Sequence, residues 1–396
     1  MADENPRLGR FIVTAAGGEN VRAFVPPPLP PNPPIDMKDL VSHLSEADRA
    51  VGRLDGISQL LPNKELFIYM YVRKEAVLSS QIEGTQSTLS DLLRAEADQL
   101  EAQNFDDITE VSNYVEAMNY GVERMNTLPL SLRLIREMHE ILLKKGRGAG
   151  RDPGQFRRSQ NWIGGTRPGN AIYVPPPPLE METCLDALEK FIHSDARDLP
   201  PLIKAGLVHL QFESIHPFLD GNGRIGRLLI TLLLCAEGIL KEPLLYLSLY
   251  FKTKRADYYR LLQEVRERGS WETWLEFFLD GVAETANEAV ATATKISELL
   301  EADLQRLKAG GKLTGSVQQI FELMKKNPYL TAAATVKKTD LTLPTVNSAL
   351  ATMKELKILR EITGRKRDRV YEYDAYMSIL QDRPKPGAAQ QGMADE

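Results

Sequence analysis

The stretch Ile215-His216-Pro217-Phe218-Leu219-Asp220-Gly221-Asn222-Gly223-Arg224-Ile225-Gly226-Arg227, followed by the apolar run 228–234, decides how this chain is read. It reads as a loop feeding a helix. A Gly-Asn-Gly turn at a helix start presents free backbone N–H groups at the positive end of the helix dipole, a combination suited to phosphate oxygens. Arg224 adds a cationic fork, and Arg227, three residues on, shares its helix face and can reach a second phosphate. Asp220 supplies a hard oxygen for a Mg²⁺ ion bridging two phosphates, an ion that keeps most of its waters and takes few carboxylates. His216 is left as the base: an imidazole of ordinary pKa ~6.5 is neutral at pH 7 and can accept a proton from an attacking hydroxyl. The G-x-x-x-x-G-K-[ST] pattern of a P-loop is absent.

Helical periodicity extends on both sides of this stretch. It runs from 180 to about 307, broken at Pro200 and Pro201, at 214–223 and near Pro243. Trp271 and Trp274, with Phe277 and Phe278 nearby, read as the buried stripe of a helix. Upstream, 37–125 carries apolar residues at three- and four-residue spacing (Leu60, Leu61, Leu66, Tyr69, Met70, Val72, Val77), and 130–143 is a further helical block that stops at Gly146, Gly148 and Gly150. Between these blocks, 159–178 (SQNWIGGTRPGNAIYVPPPP) combines turn residues with short β-prone runs and reads as a β-hairpin flap closed by prolines. The segment 24–37 (FVPPPLPPNPPIDM) must be extended, because its prolines fix φ and remove donors. After a linker at 308–313, three short helices (316–326, 330–338, 343–356) and a hairpin at 358–373 around the turn 364–368 give a winged helix-turn-helix pattern, with Pro344 where a missing N–H costs least. The expected architecture is an all-α core with a flap and a C-terminal winged helix. It divides into an extended Pro-rich segment (1–36), a helical region (37–125), the core (126–307), the winged helix (308–376) and a disordered tail (377–396).

The 396 residues suggest several domains, and 43% hydrophobic with 26% charged residues excludes disorder of the whole chain. With 49 basic against 54 acidic residues, the net charge of −5 argues against a surface built wholly for nucleic acid. Cys184 and Cys235 stand far apart, which fits neither a disulfide framework nor a cysteine-rich zinc site, so a reducing cytoplasm is the expected location. The N-terminus lacks a basic region followed by an apolar run, and Arg224, Arg227 and Glu237 interrupt the densest apolar stretch; neither secretion nor a membrane contact is expected. His43, His139, His193 and His209 show no metal-ligand spacing and read as structural.

From His216 to Arg227 the chain matches H-x-[FY]-x-[DE]-G-N-G-R-x-x-R without a departure, and so resembles the Fic family of AMP-transferases. The resemblance implies transfer of AMP from ATP to a Ser, Thr or Tyr hydroxyl of a protein, the chain itself included, with Mg²⁺ accompanying ATP. It implies that His216 deprotonates the hydroxyl, Asp220 holds Mg²⁺, Gly221, Asn222 and Gly223 form the anion hole, and Arg224 and Arg227 hold the outer phosphates. Phe218 reads as an anchor pointing into the core. Upstream, Ser79-Ser80-Gln81-Ile82-Glu83-Gly84 matches the family's inhibitory [ST]-x-x-x-E-[GN] motif. Ser79 and Glu83 share a helix face, Gly84 can terminate the helix, and by resemblance Glu83 pairs with Arg227 and blocks placement of the γ-phosphate. Flap residues Asn170, Ala171, Ile172, Tyr173 and Val174 resemble the strand on which the family pairs its target by β-augmentation. Tyr258 and Tyr259 resemble its adenine-side contacts, with core packing of one of the two the equal alternative. The same resemblance leaves open the reverse reaction, removal of AMP.

The winged-helix region offers a second function. Over 316–373, eleven basic residues oppose six acidic ones, and Arg365, Lys366, Arg367 and Arg369 would lie at the wing tip, where phosphate is easily reached. A DNA-binding regulator is therefore the competing reading. Against it, the presumed recognition helix shows Thr345, Asn347, Ser348 and Lys354 but no arginine for base readout, which places protein contact or homodimer support ahead of DNA.

Overall fold

The computed structural model describes residues 7–60, 64–96, 105–194, 199–365 and 367–381. Its element order is β1 (Arg10–Ala16), β2 (Glu19–Val25), α1 (Leu40–Leu60), α2 (Lys64–Ile82), α3 (Leu89–Glu96), α4 (Phe105–Arg124), α5 (Leu132–Leu142), a 3₁₀ turn (Pro168–Asn170), α6 (Pro178–Ile192), α7 (Pro201–Ile215), α8 (Asn222–Ala236), α9 (Ser248–Thr253), α10 (Arg255–Arg268) and α11 (Trp271–Ala309). The C-terminal part continues with α12 (Gly315–Lys326), β3 (Tyr329–Thr331), α13 (Ala332–Lys338), α14 (Leu343–Glu355), β4 (Arg360–Glu361), β5 (Val370–Glu372) and α15 (Asp374–Leu380). Most of the described chain is helical. None of its helices is long and apolar enough to cross a membrane. The chain divides into two units, residues 1–56, 75–86 and 109–287, and residues 57–74, 87–108 and 288–396.

In the first unit α7 and α8 pack on each other at the centre. From Leu202 to Ile215 every residue of α7 is buried, the pattern of a helix surrounded by protein on all sides. Pro201 opens α7 where its missing N–H is harmless, and the helix stops at His216, whose φ of 51° is left-handed, just before Pro217. Helix α5 is one-sided instead: Leu134, Ile135, Met138 and Leu142 are buried, and the Ser131 hydroxyl caps its start by accepting from the Leu134 N–H. The two tryptophans at the start of α11 are buried, and Trp274 Nε1 donates to the Gly206 carbonyl in α7 at 2.9 Å.

Two features of the first unit differ from the sequence expectation. Within the segment read as extended, β1 and β2 form an antiparallel hairpin in the register Arg10↔Val25 to Ala16↔Glu19. Its turn is Gly17 and Gly18, with φ of 54° and 80°, the left-handed pair that a two-residue hairpin turn needs. The proline run that follows carries no regular element before α1. The flap, conversely, is not a hairpin of two strands. One bridge, Ile163 to Tyr173, closes it around the 3₁₀ turn. The ladder stops because Asn170 Oδ1 takes the backbone N–H groups of Thr166 and Arg167, while the prolines at 175–178 have no N–H to give. The flap's other side is held by the N-terminal hairpin, through Phe24 N–H to Val174 O at 2.9 Å.

In the second unit α12, α13 and α14 are joined to a small antiparallel sheet of order β3-β5-β4. Leu330, expected in a helix, lies in β3, and Thr331 ends that strand and caps α13 by accepting from the Ala334 N–H. Val317, Ile320, Phe321, Met324, Val346, Leu350 and Met353 form the apolar interior of these helices. Tyr329 Oη donates to Glu372 Oε1 at 2.7 Å inside the sheet. The turn between β4 and β5 carries exposed Arg365, Arg367 and Arg369; Lys366 lies outside the described residues, as does most of the expected disordered tail.

Candidate active site

Two opposed helix ends make the site, the C-terminus of α7 and the N-terminus of α8, joined by the six residues 216–221. The loop between them is tied from every side. Asn222 Oδ1 accepts from the Phe218 N–H, and its Nδ2 donates back to the Phe218 carbonyl, both at 2.8 Å. Asn161 Nδ2 donates to the same carbonyl at 3.1 Å. Phe218 is fully buried and stacks on the His139 ring with centroids 3.6 Å apart, so it anchors the loop. His139 is a strut with a defined tautomer. Its Nδ1 accepts from the Gly154 N–H at 2.9 Å, so the proton of the neutral ring is on Nε2, which donates to the Asp220 carbonyl at 2.9 Å. Burial pushes this imidazole down to about 4, which keeps it neutral.

His216 itself is half-buried. Burial, reinforced by the cationic Arg157 and Arg266, pushes its imidazole down to about 3, so it is neutral and able to accept a proton at pH 7. At the facing end, Gly221 is the left-handed N-cap of α8 (φ 79°), and no side chain caps this end by a hydrogen bond. The first N–H groups of α8 are thus presented to a ligand. Glycine at 223 leaves room for two side-chain ends: a Cβ there would come within 2.3 Å of Glu83 Oε1 and 2.9 Å of Arg227 Nη1.

The two arginines stand differently. The Arg224 side chain is buried but loosely held, 3.4 Å from Asp220 and 3.5 Å from Glu110, and its Nε and Nη1 have no hydrogen-bond partner among the described residues. A buried guanidinium with donors left over is a ready anion site. Arg227 is held closely instead: Nε donates to Ser79 Oγ at 2.8 Å, and Nη2 to Ser79 O at 3.0 Å and Glu83 Oε1 at 2.7 Å. Burial is the largest single influence and opposes its charge, but Glu83, with Tyr258 and Glu213, more than offsets it and holds the guanidinium protonated above its ordinary range. Glu83 follows α2 directly, and Gly84 after it has φ of 103°, which turns the chain away.

Asp220 carries a partly open carboxylate whose Oδ1 accepts from the Gly221 N–H at 2.5 Å. Among the described residues no group of three or more His, Cys, Asp and Glu could cage a metal ion. One open carboxylate beside a phosphate cradle fits Mg²⁺ carried in with a nucleotide, since that ion needs one or two carboxylates when phosphates supply the rest.

The remaining expected residues separate. Ile172 is 73% exposed on the flap, whereas Tyr173 is buried and its Oη donates to the Ser214 carbonyl at 2.5 Å. Tyr258 is buried against Phe251 and Trp274, and its Oη donates to His209 Nε2 at 3.0 Å, while Tyr259 is 43% exposed. Of this pair only Tyr259 is exposed, with the Arg255 guanidinium 5.6 Å from its ring centroid. Sequence reasoning missed Arg157, Tyr173 Oη and Arg266, all of which hold the backbone around His216, because nothing in local spacing marks a side chain that bonds carbonyls distant in sequence.

Residues 41–123 match the model of the Fic/DOC family N-terminal region, and residues 129–234 that of the Fic/DOC family. Among curated proteins, the protein adenylyltransferase Fic of Drosophila grimshawi is 26% identical over 298 residues, 74% of this chain and 56% of that one. Its counterpart in Drosophila virilis is 28% identical over 254 residues, 63% of this chain and 46% of that one. The chain spans about half the length of these relatives. Two solved structures share the fold. A Fic family protein from Desulfovibrio desulfuricans superposes with a TM-score of 0.57 at 20% identity, covering 86% of this chain and 97% of that one. A Fic domain-containing signaling protein from Bacteroides thetaiotaomicron does so with a TM-score of 0.53 at 18% identity, covering 64% and 97%.

Proposed function

Because the chain is a Fic-domain protein that also carries the family's N-terminal region, we propose that it is a protein adenylyltransferase held in a restrained state by Glu83. The observation that carries this is one contact: Glu83 Oε1 lies 2.7 Å from Arg227 Nη2, in the space that glycine at 223 leaves open over the start of α8. A carboxylate there stands where a phosphate oxygen of ATP would sit, at the positive end of a helix and on the arginine that would hold it.

In the released enzyme, the N–H groups at the start of α8 and the guanidinium of Arg224 bind the phosphates, and Arg227 takes the γ-phosphate once Glu83 leaves it. Asp220 would hold Mg²⁺, which neutralises charge on the phosphates when bound. The neutral His216 imidazole accepts the proton of a Ser, Thr or Tyr hydroxyl as its oxygen attacks the α-phosphorus, and pyrophosphate leaves with the electron pair of the broken P–O bond. Exposed Ile172 on the flap presents an apolar contact for the target segment, and Tyr259 an exposed aromatic ring for the base.

The Glu83→Gly protein is the test. Misplaced reactants cost ~10²-fold in rate, so labelled AMP from ATP should accumulate on the protein about 10²-fold faster than in the parent. Equal, measurable rates would remove Glu83 from restraint. If the substitution slows loss of AMP from a modified target instead, the site works chiefly in the reverse direction.

For the C-terminal module, we propose a winged helix that contacts protein, including a second copy of this chain. The exposed face of α14 bears Thr345, Asn347, Ser348 and Ala351, small groups without an arginine to read bases. Salt-sensitive binding of duplex DNA by the full chain would favour DNA instead.

A further inference from the structure

The C-terminus of α7 is closed by side chains that no catalytic role accounts for. A helix ends with carbonyls that lack intrahelical partners. Here Glu213 O accepts from Arg266 Nη2 at 3.3 Å, and Ser214 O from Tyr173 Oη at 2.5 Å. Arg157 takes the next three: its Nη2 donates to Ile215 O at 3.4 Å, its Nε to His216 O at 2.9 Å, and its backbone N–H to Pro217 O at 2.9 Å. The same guanidinium donates through Nη1 to Ser159 O at 3.3 Å and through Nη2 to Pro176 O, the two ends of the flap. Arg266 lies over the Tyr173 ring, 3.7 Å from its centroid, and binds the three donors into one cluster. Arg157 is 2% exposed, and every hydrogen bond given for its side chain goes to a backbone carbonyl.

We propose that Arg157, supported by Tyr173 and Arg266, is the positioning residue of the transfer reaction: it fixes the left-handed backbone at His216 and ties it to both ends of the flap. This rests on the adenylyltransferase reading above. A non-glycine residue with φ of 51° persists only where its surroundings over-determine it, and here the carbonyls on both sides of that residue are held by one rigid fork. Two cations at a helix C-terminus are also favoured by the dipole, so the clamp is stable where it stands. Its consequence is separable from ligand binding. Arg157 bonds the α7 end and the flap, whereas the phosphates are held from the α8 end, so loss of the clamp should disturb the attacking geometry and leave the nucleotide bound.

In the Glu83→Gly protein, Arg157→Gln should lower kcat for self-modification about 10²-fold with KM for Mg·ATP unchanged. Arg157→Lys should recover little, because an ammonium keeps the charge but not the planar fork. Free guanidinium in the buffer should restore part of the rate of Arg157→Ala. Unchanged kcat in Arg157→Gln overturns the proposal, and so does a parallel fall of kcat and ATP affinity that guanidinium does not relieve, the mark of a merely structural residue. Should these variants fail to fold, Tyr173→Phe decides: it removes one donor and keeps the ring, and an unchanged kcat there overturns the clamp. Absence of transfer by the Glu83→Gly parent would instead overturn the enzymatic reading, and the clamp's role with it.

Discussion

The two helix ends that face each other across the loop 216–221 are finished in opposite ways. At the end of α7 each carbonyl from Glu213 to Pro217 has a donor, supplied from the flap, the loop before it and α10. At the start of α8 no side chain caps the backbone by a hydrogen bond, and what stands over it is the carboxylate of Glu83 from another part of the sequence. The difference separates two tasks. On the proposed function, the end that carries the base has its backbone groups satisfied in place, whereas the end proposed to receive phosphate is covered by a group that a ligand could replace. An anion site left bare inside a protein would leave buried donors unpaired, at about 1–3 kcal/mol each. Glu83 relieves part of that penalty by pairing with Arg227, while Nε and Nη1 of Arg224 are left for a ligand.

The largest effect belongs to the fixed end. In the Glu83→Gly protein, His216→Ala should lower AMP transfer by about 10²–10⁴-fold, because a positioned general base contributes that much. Mg·ATP affinity, read by calorimetry, should stay at the value of the Glu83→Gly protein, since the imidazole is not part of the α8 end. A variant that still modifies itself at the parent rate would take the base away from His216.

The opposite end should respond in binding. Arg224 is buried with Nε and Nη1 making no hydrogen bond, and only long contacts tie it to Glu110 and Asp220, so it has hydrogen bonds to offer a phosphate. Charge-assisted hydrogen bonds contribute about 1.5–3 kcal/mol, so Arg224→Ala should weaken Mg·ATP binding roughly 10- to 100-fold. Equal affinity in variant and parent would remove Arg224 from the cradle and leave its loose contacts with Asp220 and Glu110 as its whole role.

This division also explains what could be read in the sequence. The phosphate end was legible because its groups, from Asp220 to Arg227, lie within one turn and the helix it starts, where spacing translates directly into geometry. The contact of Glu83 with Arg227 was legible only through resemblance to a family, since the two residues come together from distant positions. The clamp on α7 left no local trace at all. Arg157 sits in a glycine-rich loop beside Arg158, and the sequence does not distinguish a buried guanidinium bonded to carbonyls from the solvated one next to it. Tyr173 was read together with Asn170, Ala171, Ile172 and Val174 as one target-pairing strand by resemblance to the family, a reading that does not say which side chains of the strand are buried. The structure buries Tyr173 and exposes Ile172. The hairpin at 10–25 was overlooked beside the proline run, although Gly17 and Gly18 between β-prone residues are a two-residue turn signal.

The smallest effect concerns how tightly the cover is held. Arg227 is fixed by Ser79 as well as by Glu83, through Nε to the hydroxyl and Nη2 to the carbonyl, and Ser79 is fully buried. Ser79→Ala removes the hydroxyl and leaves Nε unpaired in the restrained state, while Glu83 and the carbonyl still hold Nη2. A single hydrogen bond is worth about 0.5–1.5 kcal/mol net, so the restrained state should be weakened and self-modification should rise about two- to tenfold, well short of Glu83→Gly. In the Glu83→Gly background the same substitution should add nothing, because the contact it loosens has already gone. The double-mutant cycle measures this directly. If Ser79→Ala raises the rate equally in both backgrounds, the serine acts on Arg227 apart from Glu83. If it lowers the rate in both, Ser79 orients Arg227 for the γ-phosphate, and one hydroxyl serves the open state of the α8 end rather than its closed one.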